Sequence, residues 1–216
     1  MLGALQLAFI DSVNLLLIGV IVAVGIAARS NYAKTTALLI AGDWCGVAGL
    51  ALIMLVIFDG LGPVVQRFVE GPVFGILLIA TGVLTAVLAV RGGDNQALVQ
   101  KIMRPLRTPG PATVGTGMVL GLIQSATSLP FYGGLALLSA AGVDAQVRYA
   151  AIPLYATVAL SLPTLAALAV GWVRAKPGSS AARGFDWARA HPDQVTAAAT
   201  WSVAVLLIVL GVTHVV

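Results

Sequence analysis

Long apolar runs separated by short polar connections dominate the sequence. A helix needs roughly 20 apolar residues to cross a hydrocarbon core of about 30 Å. Six runs reach that length, and they lie at 3–28, 35–58, 72–90, 112–141, 149–173 and 194–216. The fourth run is long enough to predict tilt, a break or an interfacial extension. Closed β-barrels span bilayers with short alternating strands instead. The pattern therefore predicts an all-α integral membrane protein with six transmembrane helices.

Composition supports this prediction and narrows the function classes. Hydrophobic residues make up 59% of the 216 positions and charged residues 9%, whereas a soluble domain carries about 25% charged residues. This leaves no room for a soluble enzyme domain. The single cysteine, Cys45, excludes a disulfide framework and a cysteine-built metal site. The net charge of +4 is dispersed between apolar runs, so we expect no nucleic-acid partner.

Basic residues concentrate on alternate connections. The first, third and fifth connections hold ten of them: Arg29, Lys34, Arg91, Lys101, Arg104, Arg107, Arg174, Lys176, Arg183 and Arg189. The opposite side holds only Arg67 and Arg148. By the positive-inside rule, both termini are predicted outside a cytoplasmic (inner) membrane that the chain crosses repeatedly. The stretches 64–69 and 185–190 are predicted as short interfacial helices.

Two segments of the chain resemble one another. Residues 9–16 (FIDSVNLL) and 122–129 (LIQSATSL) share three identical positions, and each is the most polar patch of the first span of a three-span half. An odd number of spans per half makes the second half run in the opposite sense. We therefore expect an inverted 3+3 repeat with its site near the midplane, as in secondary transporters. The repeats would be 1–91 and 112–216, joined by a cytoplasmic linker at 92–111.

Two acidic residues lie inside the predicted spans. Asp11 and Asp43 each lie eight residues from the start of a span, or about 12 Å deep. A carboxylate at a helix centre costs about 2.5 to 3.5 kcal/mol, so such residues usually face a cavity, a partner or a proton path. We expect the two carboxyls to approach one another near the midplane and to load and release protons. The alternative is a structural acid that is hydrogen-bonded to Asn14 or Gln124.

Uncharged polar residues extend these candidates. Asn14 follows Asp11 by three residues and so shares its helix face, with Ser12 adjacent. The corresponding patch of the second half consists of Gln124, Ser125, Thr127 and Ser128. The alternative for the hydroxyls is a bond to the preceding helical turn. The predicted substrate- and proton-binding set is Asp11, Ser12, Asn14, Asp43, Gln124, Ser125, Thr127 and Ser128.

Prolines mark three candidate hinges. A Ser-Leu-Pro motif ends at Pro130 and again at Pro163, and Pro153 adds a third position. Proline inside a helix frees the carbonyl four residues earlier, here that of Ala126 or Ala159. A freed carbonyl beside a cavity can hold a cation or a substrate hydroxyl, and a simple kink is the alternative.

Other chemistry has no signature in the sequence. There is no Walker motif, Ser/His/Asp arrangement or zinc motif, and His191 and His214 lack partners at ligand spacing. We therefore expect no enzymatic activity, no cofactor and no resident metal. Energy, where it is needed, would come from a gradient.

The motifs resemble a known family. The opening LAFIDSVN at 7–14, the six-span plan, and the block that begins SLPFY at 128–132 and continues through Tyr155 and Pro163 are similar to the LysE superfamily of small exporters. The likeness covers most of the chain and is strongest to the actinobacterial GAP/Sap branch, which addresses glycolipids and sulfolipids to the envelope. There an Asp-Ser pair in span one and a Leu-Pro-Tyr-like element in span four recur. The Pro-Gly-Pro-Asn element of amino-acid exporters is absent here, as are the paired cysteines of the thiol-disulfide carriers.

The resemblance implies an inverted-repeat exporter that moves a cell-envelope glycolipid or a small polar solute outward. In that case Asp11 and Asp43 carry protons or bind a headgroup, and a lipid substrate predicts a cavity open sideways to the bilayer. A divalent-cation exporter is a second hypothesis, since hard ions take carboxylate, amide and carbonyl oxygens. The third is a non-transporting subunit that scaffolds an envelope-synthesis complex. Expected partners are membrane lipids, the substrate, and either a second copy or an envelope-complex protein.

Overall fold

The computed structural model describes residues 2–27, 31–91, 104–106, 108–176 and 178–191, with ten further helical residues between 194 and 212. All regular structure in these ranges is helical. The helices are α1 Leu2–Asp11, α2 Leu15–Ala27, α3 Tyr32–Gly60, α4 Gly62–Glu70, α5 Pro72–Arg91, α6 Pro111–Ala126, α7 Leu129–Ser139, α8 Ala145–Ala150, α9 Ile152–Ala159, α10 Ser161–Ala175 and α11 Ser180–Ala190, with a short 3₁₀ turn at Arg104–Leu106. The predicted linker at 92–111 and the predicted sixth span at 194–216 lie largely outside the described residues.

The helix α3 is long and apolar enough to cross a membrane by itself, and three bent helix pairs raise the number of such spans in the described ranges to four at most. The bends are 49° between α1 and α2, 61° between α4 and α5, and 42° between α8–α9 and α10. The all-helical prediction is confirmed, with at least one candidate membrane helix. The first predicted span, 3–28, is interrupted, because α1 ends at Asp11 and α2 begins at Leu15.

Two helix breaks fall within the two similar segments of the sequence. At the first break, the Asn14 side-chain oxygen accepts the Leu17 backbone N–H at 2.9 Å. At the second, between α6 and α7, Ser128 Oγ accepts the Phe131 N–H at 3.2 Å. A side-chain oxygen at the N-cap satisfies a backbone donor that a new helix would leave unpaired. These local bonds allow each helix to stop and restart. Of the three alternatives for the fourth span, which were tilt, a break or an interfacial extension, the structure shows a break.

The most extensive helix contact in the described chain joins α3 to α6. A Cβ added at Gly117 would lie 2.0 Å from the Leu39 carbonyl oxygen, and one at Gly42 would lie 2.1 Å from that of Val114. The two backbones are therefore in direct contact, which is how small residues associate membrane helices. This contact fixes the position of Asp43, which lies between the glycines of α3.

The short helix α7 occupies the centre of the bundle. Phe131 and Leu135 are completely buried there and pack with residues of α1, α3 and α9. From α9, the Tyr155 ring meets the Phe131 ring edge to face at 6.1 Å, and its hydroxyl donates to the Phe131 carbonyl at 3.1 Å. The half-helices α1 and α7, which flank the two breaks, thus share one hydrophobic core.

Two shorter helices match the predicted interfacial segments. The amphipathic α4 covers the predicted 64–69, and α11 covers 185–190. In α4, Val65 is buried against Ala136 of α7, whereas Gln66 and Glu70 are exposed and hydrogen-bonded to each other at 2.9 Å. The helices are confirmed, and their interfacial location stays a prediction.

Candidate functional site

The two helix breaks meet inside the bundle. Asp11, the last residue of α1, accepts a hydrogen bond from Ser128 Oγ, the cap of α7. The same Ser128 oxygen receives the Phe131 N–H, so one side chain both starts a helix and binds a carboxylate. Both residues belong to the predicted set. Their contact was not predicted, and the alternative partners proposed for Asp11 are not the ones that it uses.

A cavity of about 290 Å³ lies at this junction. Its lining residues come from both breaks and from α3 and α9, and they are Asp11, Val13, Asn14, Leu16, Val47, Gln124, Ser125, Thr127, Ser128, Ala159 and Leu160. Six of the eight predicted residues are among them. The apolar lining residues could not be predicted, because an isolated Val or Leu in a membrane helix does not differ in the sequence from its apolar neighbours.

Asp43 and Gln124 place unpartnered polar atoms at the site. The Asp43 side chain is 0% exposed, and neither of its carboxylate oxygens has a hydrogen-bond partner in the described chain. The same holds for both polar atoms of the Gln124 side chain, which lines the cavity. A buried polar group without a partner costs about 1 to 3 kcal/mol. These atoms are therefore suited to take a proton, water or the polar group of a ligand.

Of the two acidic residues, only Asp11 lines the cavity. Asp43 itself does not line the cavity, but Val47, one turn further along α3, does. The Asp43 backbone is held against α6, since a Cβ at Gly121 would lie 2.4 Å from the Asp43 carbonyl oxygen. Asp43 thus lies behind the cavity wall, and its predicted approach to Asp11 stays a prediction.

Three of the predicted polar residues form side-chain hydrogen bonds with backbone groups three or four residues away. Ser12 is buried and donates to the Phe9 carbonyl, and Thr127 Oγ1 donates to backbone carbonyls of its own helix, at 3.0 Å from that of Ile123. For these two hydroxyls the alternative of a bond to the preceding turn is correct. The prediction that Asn14 shares a helix face with Asp11 is wrong, because the helix ends between them. Both residues nevertheless line the cavity.

All three candidate hinge prolines lie in the first turn of a helix. Pro130 and Pro153 are the second residues of α7 and α9, and Pro163 is the third residue of α10. In that position proline removes no helical hydrogen bond. The Ala126 carbonyl, predicted to be free, accepts the Tyr132 hydroxyl at 3.0 Å. The bend of 42° between α9 and α10 does lie close to Pro163, and hinge motion stays a prediction.

An ion pair outside the predicted set joins α3 to α8. Arg148 NH2 lies 3.0 Å from Asp59 Oδ2, and each side chain is 18% exposed. Ser139 Oγ adds a hydrogen bond to Asp59 Oδ1 at 2.7 Å. Asp59 lies one residue beyond the predicted second span, and Arg148 lies one residue before the predicted fifth span. Their opposite charges on the same predicted side of the membrane were the available signal.

Metal ligands are sparse in the described chain. Its residues contain no group of three or more His, Cys, Asp or Glu side chains that could hold a metal ion. His214 lies outside the described residues, and His191 bonds the Trp187 carbonyl at 2.9 Å.

Comparisons with protein-family profiles, curated proteins and solved structures find no match for the chain. Function is therefore inferred from the site itself.

Proposed function

We propose that the chain is a multi-pass transporter of the cytoplasmic membrane, built as a six-span inverted 3+3 repeat. In this proposal it exports a cell-envelope glycolipid or a small polar solute and couples that movement to protons through Asp11 and Asp43. The observation that carries the proposal is the junction of two broken helices around a polar cavity. Discontinuous helices that meet near the midplane are a recurrent way to build transporter sites.

The proposed repeat is supported by where the breaks fall. Each break lies inside one of the two similar segments, 9–16 and 122–129, and each is followed by a helix with a side-chain cap. One break contributes a carboxylate to the junction and the other contributes a hydroxyl. Two related half-sites that face one another are what an inverted repeat predicts.

Proton coupling is supported by the unequal surroundings of the two acids. Asp11 has a hydroxyl donor in Ser128, whereas Asp43 has no donor in the described chain. An unpaired buried carboxylate is costly unless a proton or a cationic or hydrogen-bonding group neutralises it. In the proposed cycle, a proton on Asp43 relieves its repulsion by Asp11. A substrate polar group that bonds Asp11 and Gln124 changes that repulsion, which links binding to protonation.

Native mass spectrometry with lipid analysis tests the proposal. Protein purified in mild detergent is expected to retain a glycolipid or polyprenyl species, and Asp11→Asn and Asp43→Asn are expected to lose it. Asn keeps an oxygen that can accept the Ser128 hydroxyl, so Asp11→Asn removes charge without removing that contact. The matched control is Asp144→Asn, because Asp144 is exposed and its side chain makes no capping bond.

Proton coupling is measured in vesicles that enclose a pH-sensitive dye. Wild-type protein supplied with the retained lipid should dissipate an imposed pH gradient, and the Asp11 and Asp43 variants should not. Lipid retention and proton flux that survive both substitutions would refute the mechanism. Binding of added Mn²⁺ without lipid would favour cation export, and a co-purified polypeptide with neither lipid nor metal would favour a scaffold.

A further inference from the structure

A second and larger cavity lies as a groove between α3 and α10. It has a volume of about 830 Å³, and its lining is almost entirely apolar. The lining residues are Tyr32, Ala33, Thr36, Ala37, Ile40, Ala41, Trp44, Cys45, Thr164, Ala167, Leu168, Gly171 and Trp172. None of them lines the polar cavity. Volumes of this order enclose much of a small ligand's surface.

The groove runs along a large part of the candidate membrane helix α3. Tyr32 and Cys45 mark its ends on α3, and thirteen residues of helix rise by about 20 Å. Tyr32 bonds the Ala167 carbonyl at 2.9 Å, whereas Trp44 bonds Thr157 Oγ1 at 3.2 Å. The two walls are therefore antiparallel, and Tyr32 and Trp172 lie at the same end. That end adjoins the loops predicted to be cytoplasmic.

Two cations lie at this end, each over an aromatic ring of the groove. The Arg174 guanidinium carbon is 5.0 Å from the centroid of the Tyr32 ring, and Lys176 Nζ is 5.7 Å from that of the Trp172 ring. Arg174 also donates to the Gly25 carbonyl, which fixes its position. The first turn of α3 contains no acidic residue, so the end of the groove is positively charged.

We propose that the groove binds an anionic lipid of the cytoplasmic leaflet, with an acyl chain along α3 and the headgroup at Arg174 and Lys176. The walls are almost entirely apolar, and their two threonine hydroxyls donate to carbonyls of the preceding helical turn, so the length of the groove suits an acyl chain. The cations select a negative group at one end. Aromatic rings at that depth are typical of the membrane–water interface. This site is distinct from the polar cavity, and a protein that only scaffolds a complex would also possess it.

Brominated lipids test the proposal through the fluorescence of Trp172. With Trp44, Trp187 and Trp201 replaced by Phe, the protein is reconstituted in phosphatidylcholine vesicles that contain either brominated phosphatidylglycerol or brominated phosphatidylcholine. The anionic lipid should reach half-maximal quenching at a mole fraction about fivefold lower for each cation that contacts its headgroup.

Charge and shape variants localise the effect. Lys176→Gln should reduce the preference for the anionic lipid about fivefold. Arg183→Gln removes the same charge from an exposed position of the following helix, α11, and should leave the preference unchanged. Ala37→Phe should fill the exposed groove and weaken quenching by both lipids. Equal quenching by both lipids in the parent protein would refute the proposal, because it indicates ordinary boundary lipid. A preference for the anionic lipid that survives Lys176→Gln and Arg174→Gln together would also refute it. So would cross-linking that shows a second copy of the chain covering the groove and blocking the quenching.

Discussion

Substitution Gly117→Ala tests whether the backbone contact between α3 and α6 holds the bundle together. The new Cβ would lie 2.0 Å from the Leu39 carbonyl oxygen and 2.9 Å from the Asp43 nitrogen, and both are backbone atoms that no rotamer change can move. Relief requires the two helices to separate by roughly 1 Å in an interior that is close-packed. Overpacking of this kind costs about 1 to 3 kcal/mol of the free energy of unfolding.

The matched control is Gly115→Ala on the same helix. A Cβ at Gly115 meets nothing within 4 Å, and Ala exceeds Gly in helix propensity by about 1 kcal/mol. Reversible unfolding in mixed detergent micelles, followed by circular dichroism, should therefore show Gly117→Ala destabilised and Gly115→Ala unchanged or slightly stabilised. Equal stability of the two variants would refute the close contact. Because Asp43 is part of that contact, Gly117→Ala should also reduce lipid retention.

Two further predictions concern the polar contacts. Asp59→Asn and Arg148→Gln should each lower the free energy of unfolding by about 1 to 2 kcal/mol. This value lies between those typical of exposed and of buried ion pairs. Additive effects in a double-mutant cycle would show that the pair contributes nothing. Ser128→Ala removes both a helix cap and the donor to Asp11, so its loss should exceed the roughly 1 kcal/mol of a cap alone. In the background of Asp11→Ala, which removes the acceptor, the same substitution should cost less, and an equal cost in both backgrounds would contradict the bond.

Sequence analysis predicted the helical elements well because hydrophobic patterning is a local property. The run at 35–58 became α3 with ends within a few residues, and the amphipathic stretch at 64–69 became part of α4. The break at Ser12–Asn14 in the first span was not predicted. A short polar run in a span either stays helical or breaks, depending on which side chains of other helices contact it. At the fourth span the excess length indicated tilt, a break or an interfacial extension, and the first span gave no such signal.

In the candidate site, the acidic residues were predictable from the sequence, whereas their contacts with distant residues were not. Asp11 and Asp43 were identifiable because a carboxylate in hydrocarbon is costly wherever it lies along a helix. The Ser128 partner of Asp11 was not, since that contact spans 117 residues and depends on how distant helices pack. The ion pair of Asp59 with Arg148 spans 89 residues and was missed for the same reason.

The location of the cavity follows from the chemistry of the breaks. A helix that ends within an apolar interior leaves backbone donors and acceptors that lipid cannot satisfy. Asn14 and Ser128 satisfy the donors of the helices that restart, and the polar side chains needed to do so gather where the two breaks meet. Such a junction cannot pack as tightly as α3 against α6, where glycines allow the backbones to touch. A cavity lined by polar residues from both breaks is therefore the expected result of bringing two broken helices together. Gln124 in its wall and Asp43 behind that wall are the side chains whose hydrogen bonding the fold leaves open.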